Sequence, residues 1–405
     1  MNIIYLTGLF TNSLYEEIKD NSIGSMQNAA DVLQKNYLEG FIKNEEVKNI
    51  DVINLPYIGG YPGSYKKVYF VPSVKNESHD NVNITNVGFL NIKGIKNISR
   101  LIKSFFYIYK AAKLRKDKET HLICYSMHIP FLISCYLNSL LNNKLKYYII
   151  IPDLPEYMQE RKGLTEKLYK LINTISYFIV NRSDGISVIT EQMKKKFNSN
   201  LNSVVIEGIA ALPKNIDIND VTKAEYKYIL YSGTLDKRYG IRDLVDSYII
   251  SGIDNVKLII CGSGDDSKYV FEKSQQYTNI IYLGLVDRCK AVELQKNAYI
   301  LVNPRGNDSD FTKYSFPSKT IEYMMSGVPV LMYKLDGIPN EYDELFLRIN
   351  TKQDFSDMIR FAVNLPDNEL KAIGKKAQLF ILKNKSSQVQ TKKLISMISG
   401  KFKNV

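Results

Sequence analysis

Tryptophan is absent from this chain of 405 residues, and only three histidines and four cysteines occur in it. Cys124, Cys135, Cys261 and Cys289 are scattered and form no Cys-x-x-Cys pair. That excludes a disulfide framework and a thiolate zinc site. Cys124 and Cys261 fall in apolar, strand-like runs and read as buried thiols of a reducing compartment. His79 and His121 stand at no ligand spacing to each other or to a cysteine, so no metal centre is legible. No run reaches the roughly 18 apolar residues that a membrane span needs. The opening MNIIYLTGLF has no basic start and no long apolar stretch, so it reads as a first strand and not a signal peptide. The cytoplasm is the expected compartment. Short repeats and low-complexity tracts are missing as well. GSGDDS (262–267) follows a strand but lacks the third glycine and the placed acid of a dinucleotide fingerprint, which excludes a dehydrogenase.

What is present is a long, aromatic and basic chain. Hydrophobic residues make up 45%, with 29 Tyr and 17 Phe, and the formal charge is +12. The length exceeds what one ordinary core accommodates, so two domains are expected. The charge suits anionic partners such as nucleotide phosphates or lipid headgroups, or it is simply a lysine-rich surface.

Short apolar runs alternate with helical patterns from end to end. Strands are expected at 3–6, 121–125, 147–151, 185–190, 203–208, 228–233, 256–264, 280–284, 298–304 and 329–333. Strand–helix alternation of this kind argues α/β architecture with parallel sheets covered on both faces. The pattern restarts after SVVIEGIA, which places a boundary near 208–226. Three segments result: a first domain over 1–208, a second over 209–385, and a basic helix at 386–405 that packs back across the boundary. In open α/β sheets ligands bind beyond the carboxyl ends of the strands, so a cleft between two such domains is the expected site.

One stretch after a strand carries dense punctuation: YSFPSKTIEYMMSGVPV (314–330). Pro317 suits a first helical turn, Ser315 and Ser318 suit an N-cap, and Gly327 with Pro329 suits a helix stop. The helix expected at 318–326 therefore points its N-terminus at the ligand edge. A helix start carries roughly half a positive charge and free N–H groups, which makes it an anion site. Lys319 adds a full charge there. Ser315, Ser318 and Glu322 are spaced three and four apart on one helix face, which places Glu322 to accept hydrogen bonds from a vicinal diol. A diol beside a phosphate is the signature of a nucleotide ribose. The competing reading makes Glu322 a solvated helix residue and Lys319 a surface charge.

The segment from Asn303 to Pro329, NPRGNDSDFTKYSFPSKTIEYMMSGVP, resembles the retaining glycosyltransferases of family 4, particularly bacterial capsule and exopolysaccharide enzymes. The resemblance implies a GT-B fold, two Rossmann-like domains with a nucleotide sugar held mainly by the second. The family's Glu-x7-Glu motif has its second Glu at Glu322, a ribose ligand. Its first falls on Tyr314, so this chain departs from the pattern there. The backbone of Ser315, Phe316 and Pro317 is left to line the sugar pocket, with Arg305 a further donor-binding candidate. YILYSGTLDKRYGIRDLVDSY (228–248) is similar to the family's diphosphate loop, which has an Arg after the first Gly and a Lys before the next. Here Thr234 follows Gly233 and Tyr239 precedes Gly240. Arg238 is the expected substitute, with Lys237 in reserve. The base is expected near Tyr282. In the first half, NSIGSMQNAADVL (21–33) resembles the glycine loop that approaches donor phosphate and acceptor, bringing in Gly24 and Ser25. CYSMHIPFL (124–132) is similar to the segment that carries a strand-end histidine, His128, near the transferred sugar.

The chemistry expected is transfer of a hexose from a nucleotide sugar, foremost a UDP-sugar, to a saccharide or lipid-linked saccharide acceptor. Arg238, Lys319 and the helix start stabilise the departing diphosphate without a metal or other cofactor. Retention is implied by the resemblance alone, and nucleic acid is not among the implied partners. Asp308 to Asp310 (Asp-Ser-Asp) reads as a solvated turn and not as a metal motif. Two other classes stay open: a nucleotide-sugar 2-epimerase of the same fold, and an inactive nucleotide-sugar-binding partner. The epimerase reading needs acidic residues as acid and base around the cleft, and no such set is legible near Gly24 or His128.

Residues 93–118 hold nine Lys or Arg against one acid. Ile95, Ile98, Ile102, Phe105, Tyr109 and Ala112 follow helical spacing within them. This reads as a basic amphipathic helix for an anionic membrane surface, or as a domain helix with a lysine-rich outer face. KLYKLINTISYFIV (167–180) is a second such segment. Either one suggests peripheral contact with the inner face of the cell membrane.

Overall fold

The computed structural model describes residues 1–24, 26–115, 119–157, 163–210, 225–307 and 310–401. They divide into two compact units. The first is Met1–Ile209 with the C-terminal residues from Ser387, and the second is Ala210–Ser386.

The first unit opens on β1 (Asn2–Thr7), followed by α1 (Tyr15–Asn21), α2 (Asn28–Ile42) and β2 (Asn49–Asn54). Four short strands come next: β3 (Tyr69–Phe70), β4 (Asn76–His79), β5 (Val82–Asn86) and β6 (Phe89–Leu90). The chain continues through α3 (Lys96–Leu114), β7 (Thr120–Tyr125), α4 (Ile129–Leu141) and β8 (Leu145–Ile151). It ends in α5 (Leu164–Val180), β9 (Gly185–Val188), α6 (Glu191–Lys194) and β10 (Ser203–Val205). Eight strands form one sheet in the order β10-β9-β8-β7-β1-β2-β5-β4, and β3 pairs with β6. Every pair in the large sheet is parallel except β4 with β5.

The central strands are near-continuous apolar runs because both faces are covered. Ile3, Tyr5, Ile123, Tyr125 and Ile150 share one core cluster with Tyr37 and Phe41 of α2. Right-handed crossovers put α3, α4 and α5 over the opposite face. β2 and β5 read less clearly in the sequence because asparagine and aspartate interrupt them. Inside the sheet, Asn54 Nδ2 donates to Asn86 Oδ1 at 2.8 Å.

The second unit runs β11 (Tyr228–Ser232), α7 (Ile241–Ser251), β12 (Lys257–Cys261), α8 (Ser267–Gln276) and β13 (Ile280–Gly284). α9 (Arg288–Asn297), β14 (Ile300–Asn303), α10 (Ser318–Met325), β15 (Val330–Tyr333) and β16 (Leu347–Ile349) follow. α11 (Phe355–Asn364) and α12 (Asp367–Asn384) close it. Its six strands are all parallel, in the order β13-β12-β11-β14-β15-β16.

The last helix, α13 (Ser387–Ile398), packs on α2 in the first unit. Leu394, Ile395, Met397 and Ile398 enter the same core cluster as Tyr5. Gly40 permits the approach: a Cβ there would stand 2.4 Å from the Ser387 carbonyl oxygen. Asn44 Nδ2 donates to Thr391 Oγ1 at 2.9 Å.

Candidate functional site

Parallel register brings the carboxyl ends of β11, β12 and β14 to one edge of the second sheet, so the loops that leave them meet. The backbone stitches them together. Gly233 N–H donates to the Cys261 carbonyl at 3.0 Å, and Leu235 N–H to that of Ser263 at 3.0 Å. Gly240 has a φ of 74°, and a Cβ would come within 2.2 Å of the Pro304 carbonyl oxygen. Only glycine lets the diphosphate-loop candidate lie this close to the segment leading into α10.

α10 begins at the expected place with a different cap. Pro317 is the N-cap residue, and no side chain caps the helix. Ser318 is the first helical residue and Ser315 lies outside the helix, so neither is the N-cap that the sequence suggested. The Ser315 hydroxyl instead accepts from Arg305 Nη2 at 2.6 Å. Phe316 is buried against Tyr342, with ring centroids 5.6 Å apart. Pro317 is buried too, and Tyr314 ends a short 3-10 turn (Asp310–Tyr314).

The apolar face of α10 anchors it to β11. Tyr323 Oη accepts from the Ser232 N–H at 2.9 Å and donates to the Ser232 carbonyl at 3.1 Å. Glu322 is left on the exposed side. Its carboxylate is ion-paired with Lys319, at 3.2 and 3.1 Å to the two oxygens. Gln295, which is buried, donates through Nε2 to Glu322 Oε1 and to Ser232 Oγ, each at 2.8 Å. It thereby fixes the carboxylate relative to the strand end. Sequence reasoning missed this residue, and a lone glutamine in a polar helix offers no signal.

The charges around the loop are held in two ways. Asp236 caps the short 3-10 turn Lys237–Tyr239 and grips Arg238, with Nε at 3.0 Å and Nη2 at 2.7 Å. That guanidinium holds the Asp236 carboxyl below its usual range. Arg305 is buried against the rings of Phe311 and Tyr239, with centroids at 4.5 and 5.4 Å, and its Nε has no partner. Burial lowers its pKa. Thr234 is exposed beside Gly233, and its carbonyl accepts from Tyr231 Oη at 2.8 Å. Tyr282 Oη donates to the Gly262 carbonyl at 2.9 Å, which puts its ring at the same sheet edge.

In the first unit the same logic gathers the ends of β1, β2 and β7. Gly24, at φ 84°, borders a cavity of about 380 Å³ lined also by Phe10, Gln27, Tyr57 and Gly59. A Cβ on Gly24 would meet nothing within 4 Å, so the left-handed backbone and not crowding favours glycine. Ser25 lies outside the described residues, as do Asp308 and Ser309 and most of the boundary segment near 208–226.

Tyr57 links this cavity to His128. The two rings meet edge to face, with centroids 5.6 Å apart, and Tyr57 Oη donates to the Tyr125 carbonyl at 3.0 Å. His128 is the N-cap residue of α4. Its Nε2 lies 3.2 Å from Arg100 Nη1. Arginine has no acceptor, so Nε2 must accept and the ring proton sits on Nδ1.

Arg100 is fully buried without a carboxylate. The Leu55 and Pro56 carbonyls accept from it, and the rings of Phe89, Tyr57 and Phe131 surround its cation at 4.7, 5.2 and 5.6 Å. Burial lowers its pKa to about 10. Burial, then Arg100, then Lys96 push His128 well below the usual histidine range, so it is neutral. Its folded value lies below the unfolded one, so the unfolded chain takes up the proton first as pH falls. This group therefore removes about 1.4 kcal/mol of stability per pH unit below about pH 6.5. In Arg100→Met, NMR titration should show the His128 pKa moving up toward 6.5. An unmoved value would show that the guanidinium does not set the state of the ring.

Among the described residues no group of three or more His, Cys, Asp or Glu is placed to hold a metal ion.

Residues 214–380 match the family model described as glycosyl transferases group 1. The fold is shared with solved structures. Sucrose-phosphate synthase from Thermosynechococcus elongatus aligns with a TM-score of 0.64 at 13% identity, covering 99% of this chain and 100% of that one. The Anabaena protein HepE in complex with UDP gives 0.59 at 13%, covering 99% and 100%. The E. coli trehalose-6-phosphate structure bound with UDP-2-fluoro glucose gives 0.61 at 11%, covering 98% of both. No curated protein sequence matches the chain. The fold is that of GT-B glycosyltransferases. The chain is a glycosyltransferase.

Proposed function

We propose that this glycosyltransferase is a retaining hexosyltransferase of the family 4 type, using a UDP-sugar donor. Its acceptor is a saccharide or lipid-linked saccharide of a bacterial surface polysaccharide such as capsule. It works in the cytoplasm, at the inner face of the membrane. The observation that carries the reading is the start of α10: Lys319 and Glu322 stand in its first turns, and Gln295 fixes the carboxylate beside the end of β11. Glu322 suits the ribose diol, and the free N–H groups of the helix start suit the diphosphate. The two solved relatives that hold UDP or a UDP-sugar support the same donor class.

In this reading the departing diphosphate gains charge as the sugar becomes oxocarbenium-like. Arg238, Lys319 and the helix start meet that charge with fixed positive groups, and no metal is required. The ion pair between Lys319 and Glu322 opens on binding, so that the ribose takes the carboxylate and the phosphate takes the ammonium. Ser315, Phe316 and Pro317 line the sugar side, and Tyr282 the base side. In the first unit, neutral His128 offers its Nδ1–H to a sugar hydroxyl.

Calorimetric titration with UDP, GDP, ADP and CMP, with and without EDTA, tests this. UDP binding that survives EDTA is the expected result, and a matching rise in melting temperature accompanies it. Absence of binding by any nucleotide would reduce the α10 start to ordinary helix punctuation.

A further inference from the structure

The face formed by α3, α4 and α5 is built against the usual rule for a surface helix. The residues α3 turns inward recur every four positions: Arg100, Ser104, Ile108 and Ala112. Two of the four are polar: Arg100 donates to the Leu55 and Pro56 carbonyls, and Ser104 joins a hydrogen-bonded seam with α4. Ser104 Oγ and Ser134 Oγ are 2.6 Å apart, and Asn138 Nδ2 donates to the Phe105 carbonyl at 3.2 Å. Large apolar residues are left outside. Ile98 is 57% exposed, Ile102 49% and Phe106 60%.

α4 packs against both α3 and α5, so the three helices are neighbours on one side of the sheet. α4 carries no charged residue and exposes Leu140 and Leu141 near its end. α5 exposes Leu168, Leu171 and Phe178. Large exposed apolar patches on a single face mark an interaction surface.

Charge decides the occupant. α3 contains no acidic residue, and Lys103, Lys110 and Lys113 lie along it. On α5, Glu166 is already paired with Lys170 at 2.7 Å. Nearby, Glu156 accepts from Tyr177 Oη at 2.9 Å. A second copy of this face would set like charges against each other. An anionic bilayer takes apolar side chains to the acyl boundary and lysines to its headgroups, with long stems that follow both. Among the described residues no helix is long and apolar enough to cross a membrane.

We infer that α3, α4 and α5 form one docking face for an anionic lipid bilayer, along which the chain lies without spanning it. This deepens the membrane-side part of the function proposed above and is independent of the donor chemistry.

Flotation of the full chain with vesicles tests it in the absence of nucleotide. The chain binds phosphatidylglycerol–phosphatidylcholine vesicles and not phosphatidylcholine alone, and added salt weakens binding. Ile102→Ser with Phe106→Ser on α3 weakens binding on the order of a hundredfold, and so does Leu171→Ser with Phe178→Ser on α5. Lys103→Gln with Lys110→Gln weakens it about fivefold per lysine. These side chains are outward-facing, and an unchanged melting temperature checks each variant. Equal binding to both vesicle types, or to neither, would overturn the inference. So would a dimer in solution that the serine variants dissociate. UDP titration of the same preparations reports on the donor site separately, so one reading can fail while the other stands.

Discussion

Glu322→Gln lowers the affinity for UDP about thirtyfold and leaves the fold intact. The carboxylate lies on the exposed side of α10, held by Gln295 and Lys319. A hydrogen bond to a charged group is worth about 1.5–3 kcal/mol, and glutamine keeps the shape while surrendering the charge. About 2 kcal/mol corresponds to about thirtyfold in binding. Gln295 still finds an amide oxygen in place of the carboxylate, and surface substitutions of this kind shift the melting temperature by no more than about 2 °C. Calorimetry with UDP alongside a thermal melt separates the two effects. Unchanged affinity would remove the ribose role from Glu322, and a collapsed melting temperature would make its role structural.

Arg238→Ala lowers kcat by about a hundredfold while UDP affinity changes about threefold or less. A fixed positive group acts mostly where charge develops, which is at the leaving diphosphate, so its loss appears in turnover before binding. Asp236 is central to the argument. It grips Nε and Nη2 of Arg238 and also accepts from the Arg238 backbone N–H at 2.9 Å. Part of the positive charge is offset, and in exchange the guanidinium is oriented before the donor arrives. Asp236→Asn should therefore cost less than Arg238→Ala while making the arm mobile. Initial rates over a range of donor concentrations give the split between kcat and KM. Parent-like turnover in Arg238→Ala would pass the role to Lys237, its neighbour on the same turn.

The strands were legible where the chain is buried on both faces. NIIYLT, THLICY and LKYYIII are rich in β-branched and aromatic residues and sit at the centre of the first sheet. Asn49–Asn54 was not legible, although it pairs directly with β1. Asparagine and aspartate disfavour strands in general. Here the Asn54 amide donates to Asn86 on the neighbouring strand, a pairing that only tertiary structure supplies. The start of α10 was legible because Pro and Gly act locally. Its cap was not, because the two serines have no geometric claim on the helix until Arg305 is seen to take one of them. Arg100 was hidden by its own helix. The apolar spacing of Ile95, Ile98, Ile102, Phe105, Tyr109 and Ala112 drew attention to one stripe of α3, while the stripe that turns inward is Arg100, Ser104, Ile108 and Ala112, half of it polar. Hydrophobic periodicity identifies a face and not the side on which the protein lies.

The placement of α13 bears on how the molecule is made. The core that holds Ile3 and Tyr5 is completed by Leu394 and Ile395, which follow the whole second unit in the chain. The whole second unit, Ala210–Ser386, is synthesised between them. Until then α2 presents Tyr37 and Phe41 without the helix that covers them. The second unit is continuous in sequence and can close on itself before α13 is made, whereas the first stays incomplete until the chain has passed Ile398.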